Sequence, residues 1–444
     1  MTLLIAGGLV VRSLWPPVVE QADVVIGAER VLAVGRCQQA GGQRIDASGC
    51  LVMPGNVNAH MHAYSALSRG MPYALEPPTN FLEILQRVWW RLDRALDAES
   101  IRASAMVAAR EALLAGTTTL IDHHASPNAI DGSLDVLAGS FEEAGLRAAL
   151  CYEVSDRDGP ERSRAGLDEN ERFIRDHARA PRRLTRPMVG AHACFTLSDE
   201  TLASCRALAD AHRVGLHIHA AEDGVDAGAV RRLAAAGALN ERTLVAHAVH
   251  VDDDEIDELR ASGAFVAHNA RSNMNNGVGR SPVGALGVRV GLGTDGIGSD
   301  LFEETRAAFL RRRDEDISLT PDWAVERLAT CATLAGRIFD EPLLGTIVTG
   351  APADIVVLDY APPTPLDPTN LAGHLVFGIT SAAVRDVIVD GEVVVRDRHL
   401  TRVDEGQLNA TAREQAARLW QRMAETPAHE FTPRGATTAA AARA

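Results

Sequence analysis

Residues 51–62 read LVMPGNVNAHMH, an apolar run broken at Pro54-Gly55 and closed by His60 and His62. Seven more short runs rich in β-branched, apolar or small residues follow: TTTLIDHH (117–124), RAALCYEV (147–154), MVGAHACF (188–195), GLHIHAAE (215–222), TLVAHAVH (243–250), AFVAHNAR (264–271) and RVGLGTDG (289–296). Helix-period segments separate them, such as LSDETLASCRALADAHR, where Ser198 is placed to cap a helix start, and DDDEIDELRASG, with an acidic first turn and a closing glycine. Strands that alternate with helices build a parallel sheet, and eight such units predict a closed (β/α)8 barrel of the TIM type. Seven of the eight runs carry a histidine or aspartate at or near the C-terminal end, the end at which a barrel gathers its active site.

The flanks differ in pattern. Residues 1–54 and 346–404 hold hairpin-like runs, VVEQADVVIGAERVLAVG, then ADIVVLD and VRDVIVDGEVVVRDRHL, with Asp-Gly at a tight-turn position. They predict a small β-sandwich made from both ends of the chain around a barrel at 55–345, followed by a C-terminal helix and tail at 405–444, with FTPRGATTAAAARA frayed. The segment EPPTNFLEILQRVWWRLDRALD follows the first strand, and its amphipathic helix serves either as a lid with Trp89 over the mouth or as ordinary packing.

A net charge of −15 argues against a nucleic-acid or anionic-membrane partner and favours a small neutral or cationic substrate. No apolar run is long enough to span a bilayer, and the N-terminal MTLLIAGGLVVRSLWPP lacks the basic residues and cleavage pattern of a signal peptide. The six cysteines show no C-x-x-C spacing, which points to a reducing cytoplasm. All 44 basic residues are arginine, so mechanisms that need a lysine are closed to this chain.

Alternate strand residues share a face, so His60 and His62 can present two imidazoles to one ion. Alone, H-x-H does not separate a metal pair from buried polar residues. His219 on the fifth run and Asp295 on the eighth complete a set of three nitrogens and one carboxylate, which suits Zn2+ or Fe2+ with a position left for water. Such an ion lowers the pKa of its water to about 7. Asp295 is then placed to take a proton, Glu222 to carry one to the substrate, and His247 to stabilise developing charge.

The motifs PGNVNAHMH, HIHAAED, LVAHAVH, FVAHNARSNMNNGVG and GLGTDG resemble the amidohydrolase superfamily, in its mononuclear-metal branch of cytosine, guanine and S-adenosylhomocysteine deaminases and triazine hydrolases. PTNFLEILQRVWWRLDRALD and HNARSNMNNGVG look most like the aminohydrolases called SsnA. The resemblance selects His247 over His250 and His219 over His217. Two-metal relatives bridge their ions with a carboxylated lysine, which this chain lacks, so one divalent ion is expected, zinc ahead of iron. His192 matches a histidine that faces substrate in the family. Adenosine-type relatives grip ribose with an acidic residue after the first strand, whereas this chain offers Trp89, Trp90 and Arg91 with Asp93 off that position, which argues against nucleosides.

Substrate contacts are further assigned to Arg271, which follows strand seven and could meet a ring carbonyl or carboxylate, to Tyr64 at the mouth, and to His124 at the end of strand two. Together these residues predict hydrolytic deamination of an amino-substituted purine, pterin, pyrimidine or triazine. The alternatives are ring opening of a cyclic amide, loss of another leaving group, or a barrel without catalysis. A homodimer is a family-level expectation.

Overall fold

A computed structural model describes residues 2–37 and 42–433. The expected fraying of the tail falls mostly on residues outside that range.

Eight parallel strands form the barrel: Asn56–Met61, Thr117–His124, Arg147–Val154, Val189–Ala193, Leu216–Ala220, Leu244–His247, Phe265–His268 and Val290–Leu292. Each pairs with its neighbour in sequence order. The ring closes where Met61 bridges Asp295 and the N–H groups of Thr294 and Asp295 donate to the carbonyl of His60. All eight are thus the runs picked out by pattern.

LVMPGNVNAHMH is two strands. Leu51–Pro54 lies in a second sheet, paired with Ile355–Leu358, and the chain turns into the barrel at Gly55. A side chain at Gly55 would meet the hydroxyl of Thr118 at 2.2 Å, so only glycine lets the two strands approach. That second sheet has nine mixed-direction strands from both chain ends, and Thr2–Ser13 pairs in parallel first with Gln43–Asp46 and then with Leu51–Val52. The expected Asp390-Gly391 turn joins Val384–Val389 to Glu392–Arg396.

The caps follow their local chemistry. Ser198 accepts from the Thr201 N–H at the start of Asp199–His212, and Asp252 forms a capping box with Glu255 on a helix that ends at Gly263. Barrel and sheet are joined by a buried ion cluster in which Arg147 contacts Asp354 and Asp390, both at 2.9 Å. Over the mouth lies the segment Phe81–Ala95, an α turn, a π turn at Leu85–Trp89 and a second α turn. No helix among the described residues is long and apolar enough to cross a membrane.

Candidate metal centre and active site

The ends of the first, fifth, sixth and eighth strands bring the buried His60, His62, His219 and His247 together with the partly buried Asp295. His62 Nδ1–H donates to the carbonyl of His123 at 2.6 Å and His219 Nδ1–H to that of His192 at 2.7 Å. These bonds turn both Nε2 atoms inward, where they stand 3.2 Å apart. In their neutral forms two lone pairs then face each other, and the point between them calls for positive charge, as an ion or as a proton. His60 Nε2 is buried without a hydrogen-bond partner, while its Nδ1 lies 2.9 Å from His217. Asp295 Oδ1 lies 3.1 Å from His62 Nε2 and 3.6 Å from His60 Nε2. Three imidazole nitrogens and one carboxylate oxygen that converge with an orphaned donor atom fit a divalent cation.

Burial lowers the His60 imidazole to about 3 and holds His219 well below the usual range, which keeps both neutral and ready to bind. Burial also lowers His62, but the Asp295 hydrogen bond and charge outweigh it and lift that group to about 9. Burial works against ionised Asp295 as well, yet the adjacent His60 and His62 imidazoles hold its carboxyl well below the ordinary value.

Glu222 Oε2 lies 3.4 Å from His247 Nε2, and burial pushes its carboxyl up to about 7. His247 Nδ1 is 2.9 Å from Asn273 Oδ1, which fixes the ring with Nε2 toward Glu222 and 4.0 Å from Asp295 Oδ2. The backbones of His247 (φ 77°) and Asp295 (φ 53°) are left-handed, a conformation that costs about 1–3 kcal/mol and is held here by the surrounding packing. Gly293, just before Asp295, is packed so closely that a Cβ would meet Asn269 Oδ1 at 2.3 Å.

The cavity above this group is walled by Tyr64, Phe81, Leu85, Trp89, Trp90 and Phe195, with Glu153, His192, Asp226 and Asn276 among its polar groups. Trp89, His192 and Tyr64 thus stand at the cavity. Two other expected contacts do not. Arg271 is engaged by Glu303, Glu304 and the carbonyl of Ile297 and faces a separate cleft, because the helix Leu301–Arg313 supplies its counter-charges. His124 turns away to bond Ser126 Oγ at 2.9 Å, and burial lowers it to about 3. Asp93 is buried and paired with Arg157 and takes no part in lining the cavity.

Sequence reasoning missed Ser272, whose hydroxyl donates to Asp295 Oδ2, and Asn276, whose amide reaches Glu222 Oε1 at 3.4 Å. Their signal lay in HNARSNMNN: positions 272, 273 and 276 share a helix face that could be turned toward the mouth. Glu153 was also missed. Its carboxylate joins His123 and Arg157, and it stands next to last in the one run without a terminal histidine or aspartate.

The amidohydrolase family profile matches residues 51–394. The chain belongs to the amidohydrolase family. This amidohydrolase is 35% identical over 442 residues to a 5-methylthioadenosine/S-adenosylhomocysteine deaminase of Haloarcula marismortui, covering 95% of this chain and 99% of that one. It is 33% identical over 386 residues to a 5'-deoxyadenosine deaminase of Methanopyrus kandleri, covering 83% and 86%. Among solved structures, an adenosine deaminase from Xanthomonas campestris with bound zinc superposes with a TM-score of 0.83 at 23% identity, covering 94% and 98%. The atrazine chlorohydrolase TrzN from Arthrobacter aurescens, complexed with zinc, gives 0.78 at 23%, covering 93% and 100%, a likeness of fold.

Proposed function

We propose that the protein is a metal-dependent aminohydrolase that replaces the amino group of a purine-type or related nitrogen heterocycle with oxygen and releases ammonia. The observation that carries this reading is the protonatable Glu222 set 3.4 Å from His247, beside Asp295 and beneath an aromatic cavity. His60, His62, His219 and Asp295 would hold one divalent ion, zinc ahead of iron, which when bound would activate a water. Asp295 takes a proton from the attacking water and returns it to the departing amine, so that water plus amino-heterocycle gives oxo-heterocycle plus ammonia. Glu222 delivers its proton to the ring nitrogen next to the attacked carbon and is reprotonated by the second proton of the added oxygen as ammonia leaves and the oxo group forms. His247, held by Asn273, orients the attacking oxygen and stabilises the charge that develops as it adds. Trp89, Tyr64 and His192 flank the ring.

The relatives' names favour an adenine-type ring. The burial of Asp93 against Arg157 supports recognition of that ring without a ribose-gripping carboxylate at this position. A homodimer working in the cytoplasm accords with this reading. The test is ammonia release by zinc-loaded protein against free bases, 5'-deoxyadenosine-type nucleosides, pterins and triazines. Turnover should vanish on chelation and in Asp295→Asn. Activity that survives either treatment, or a product heavier by one water with no ammonia lost, overturns the reading.

A further inference from the structure

Trp90 forms part of the cavity wall and is 1% exposed, yet its indole N–H has no hydrogen-bond partner among the described residues. Ring contacts therefore set its orientation. Two come from the barrel: His192, with ring centroids 6.0 Å apart, and the Arg157 guanidinium, 5.4 Å from the indole centroid. Two more come from beyond the last helix, which ends at Glu425: His429 at 5.1 Å and Phe431 at 5.8 Å.

The stretch that carries these side chains is stitched to the mouth-covering segment Phe81–Ala95. His429 N–H donates to the Gln86 carbonyl at 2.9 Å, and Gln86 Nε2 donates to the Phe431 carbonyl at 2.9 Å. Arg91, 1% exposed, donates from Nε to the Thr426 carbonyl at 2.7 Å. His429 Nε2 lies 3.5 Å from Asp158, a carboxylate that also faces Arg157 and Arg94. Phe431 packs on an apolar cluster of Phe81, Leu85, Trp90, Val249 and Val278 that is separate from the barrel core. The segment over the mouth thus owes part of its apolar support to the far end of the chain.

We propose that His429 and Phe431 are positioning residues of the substrate pocket. Acting through Trp90, the stretch Thr426–Phe431 straps the segment Phe81–Ala95 onto the barrel mouth and sets how tightly a planar heterocycle is held. The kinetic side of this proposal rests on the deamination reading above; the placement of Trp90 does not.

The test uses the full chain. Phe431→Ala should raise KM roughly three- to tenfold, the worth of a lost aromatic contact, and leave kcat within about twofold. His429→Ala should move KM in the same direction. Independently of turnover, acrylamide quenching of tryptophan fluorescence should increase in Phe431→Ala, and the same change made in a Trp90→Phe background should leave quenching unaltered. Unchanged KM with unchanged quenching overturns the proposal, as does an equal gain in quenching in both backgrounds. A kcat and a melting temperature that fall together with KM constant would mark a merely structural role and overturn it too. If no heterocycle releases ammonia from the parent protein, the deamination reading fails, while the quenching comparison still decides the role of the strap.

Discussion

His247 Nδ1 and Asn273 Oδ1 lie 2.9 Å apart, and this bond aims the imidazole at Glu222. Asn273→Ala should lower kcat by about tenfold or more with little change in KM, as removal of a group that orients a catalytic side chain does. Steady-state kinetics on the best substrate checks this. A KM effect with intact kcat would assign Asn273 to substrate binding instead.

Glu222 is raised to about 7 by burial. A carboxyl with an elevated pKa holds its proton below that value and loses it above, so a general acid at this position works on the acidic side. With Glu222 as proton donor, kcat/KM should fall about tenfold per pH unit above a neutral-range limb. Glu222→Gln should remove the bulk of turnover at every pH. A rate that climbs steadily through the alkaline range would assign the proton to another group.

The paired Nε2 atoms of His62 and His219 make cation binding a stabilising event. Chelation should lower the melting temperature and added zinc should restore it; free zinc at a hundred times its Kd contributes about 2.7 kcal/mol. Differential scanning calorimetry reads the shift, which should be absent in His219→Ala. Equal melting temperatures with and without zinc in the parent protein would speak against the proposed ligand set.

Arg147 joins the barrel to the end sheet through Asp354 and Asp390 and is 3% exposed. Arg147→Ala leaves Asp354 buried without its cationic partner, although Asp390 keeps Arg183 at 2.9 Å, and should cost about 3–5 kcal/mol in denaturant unfolding, with kcat unchanged in the protein that remains folded. A loss below about 1 kcal/mol would mean that solvent reaches the cluster.

Much of this molecule is legible one segment at a time. The eight barrel runs, the Ser198 and Asp252 caps and the Asp390-Gly391 turn are written in neighbouring residues. Because a barrel collects its strand ends at one mouth, strand periodicity was enough to bring histidines and aspartates from His60 to Asp295, 235 positions apart, to one end of the barrel, while the family resemblance chose His219 over His217. His60 and His62 gain their meaning only from His219 and Asp295 on other strand ends, which the repeating pattern makes visible.

Arg271 and His124 show where that logic stops. Each stands beside the expected mouth, yet Arg271 is drawn off by Glu303 and Glu304 on a later helix and His124 by Ser126. A side chain at a strand end has several directions open to it, and the nearest counter-charge or hydroxyl chooses among them. Trp90 is the opposite case, a residue of one helix whose orientation depends on His429 and Phe431 more than 330 positions away. The sequence by itself determined the barrel and the histidines and aspartates at its strand ends, because both follow from short-range periodicity. Only the tertiary structure decided which side chains line the cavity, because through-space packing and charge pairing have no signature in local spacing.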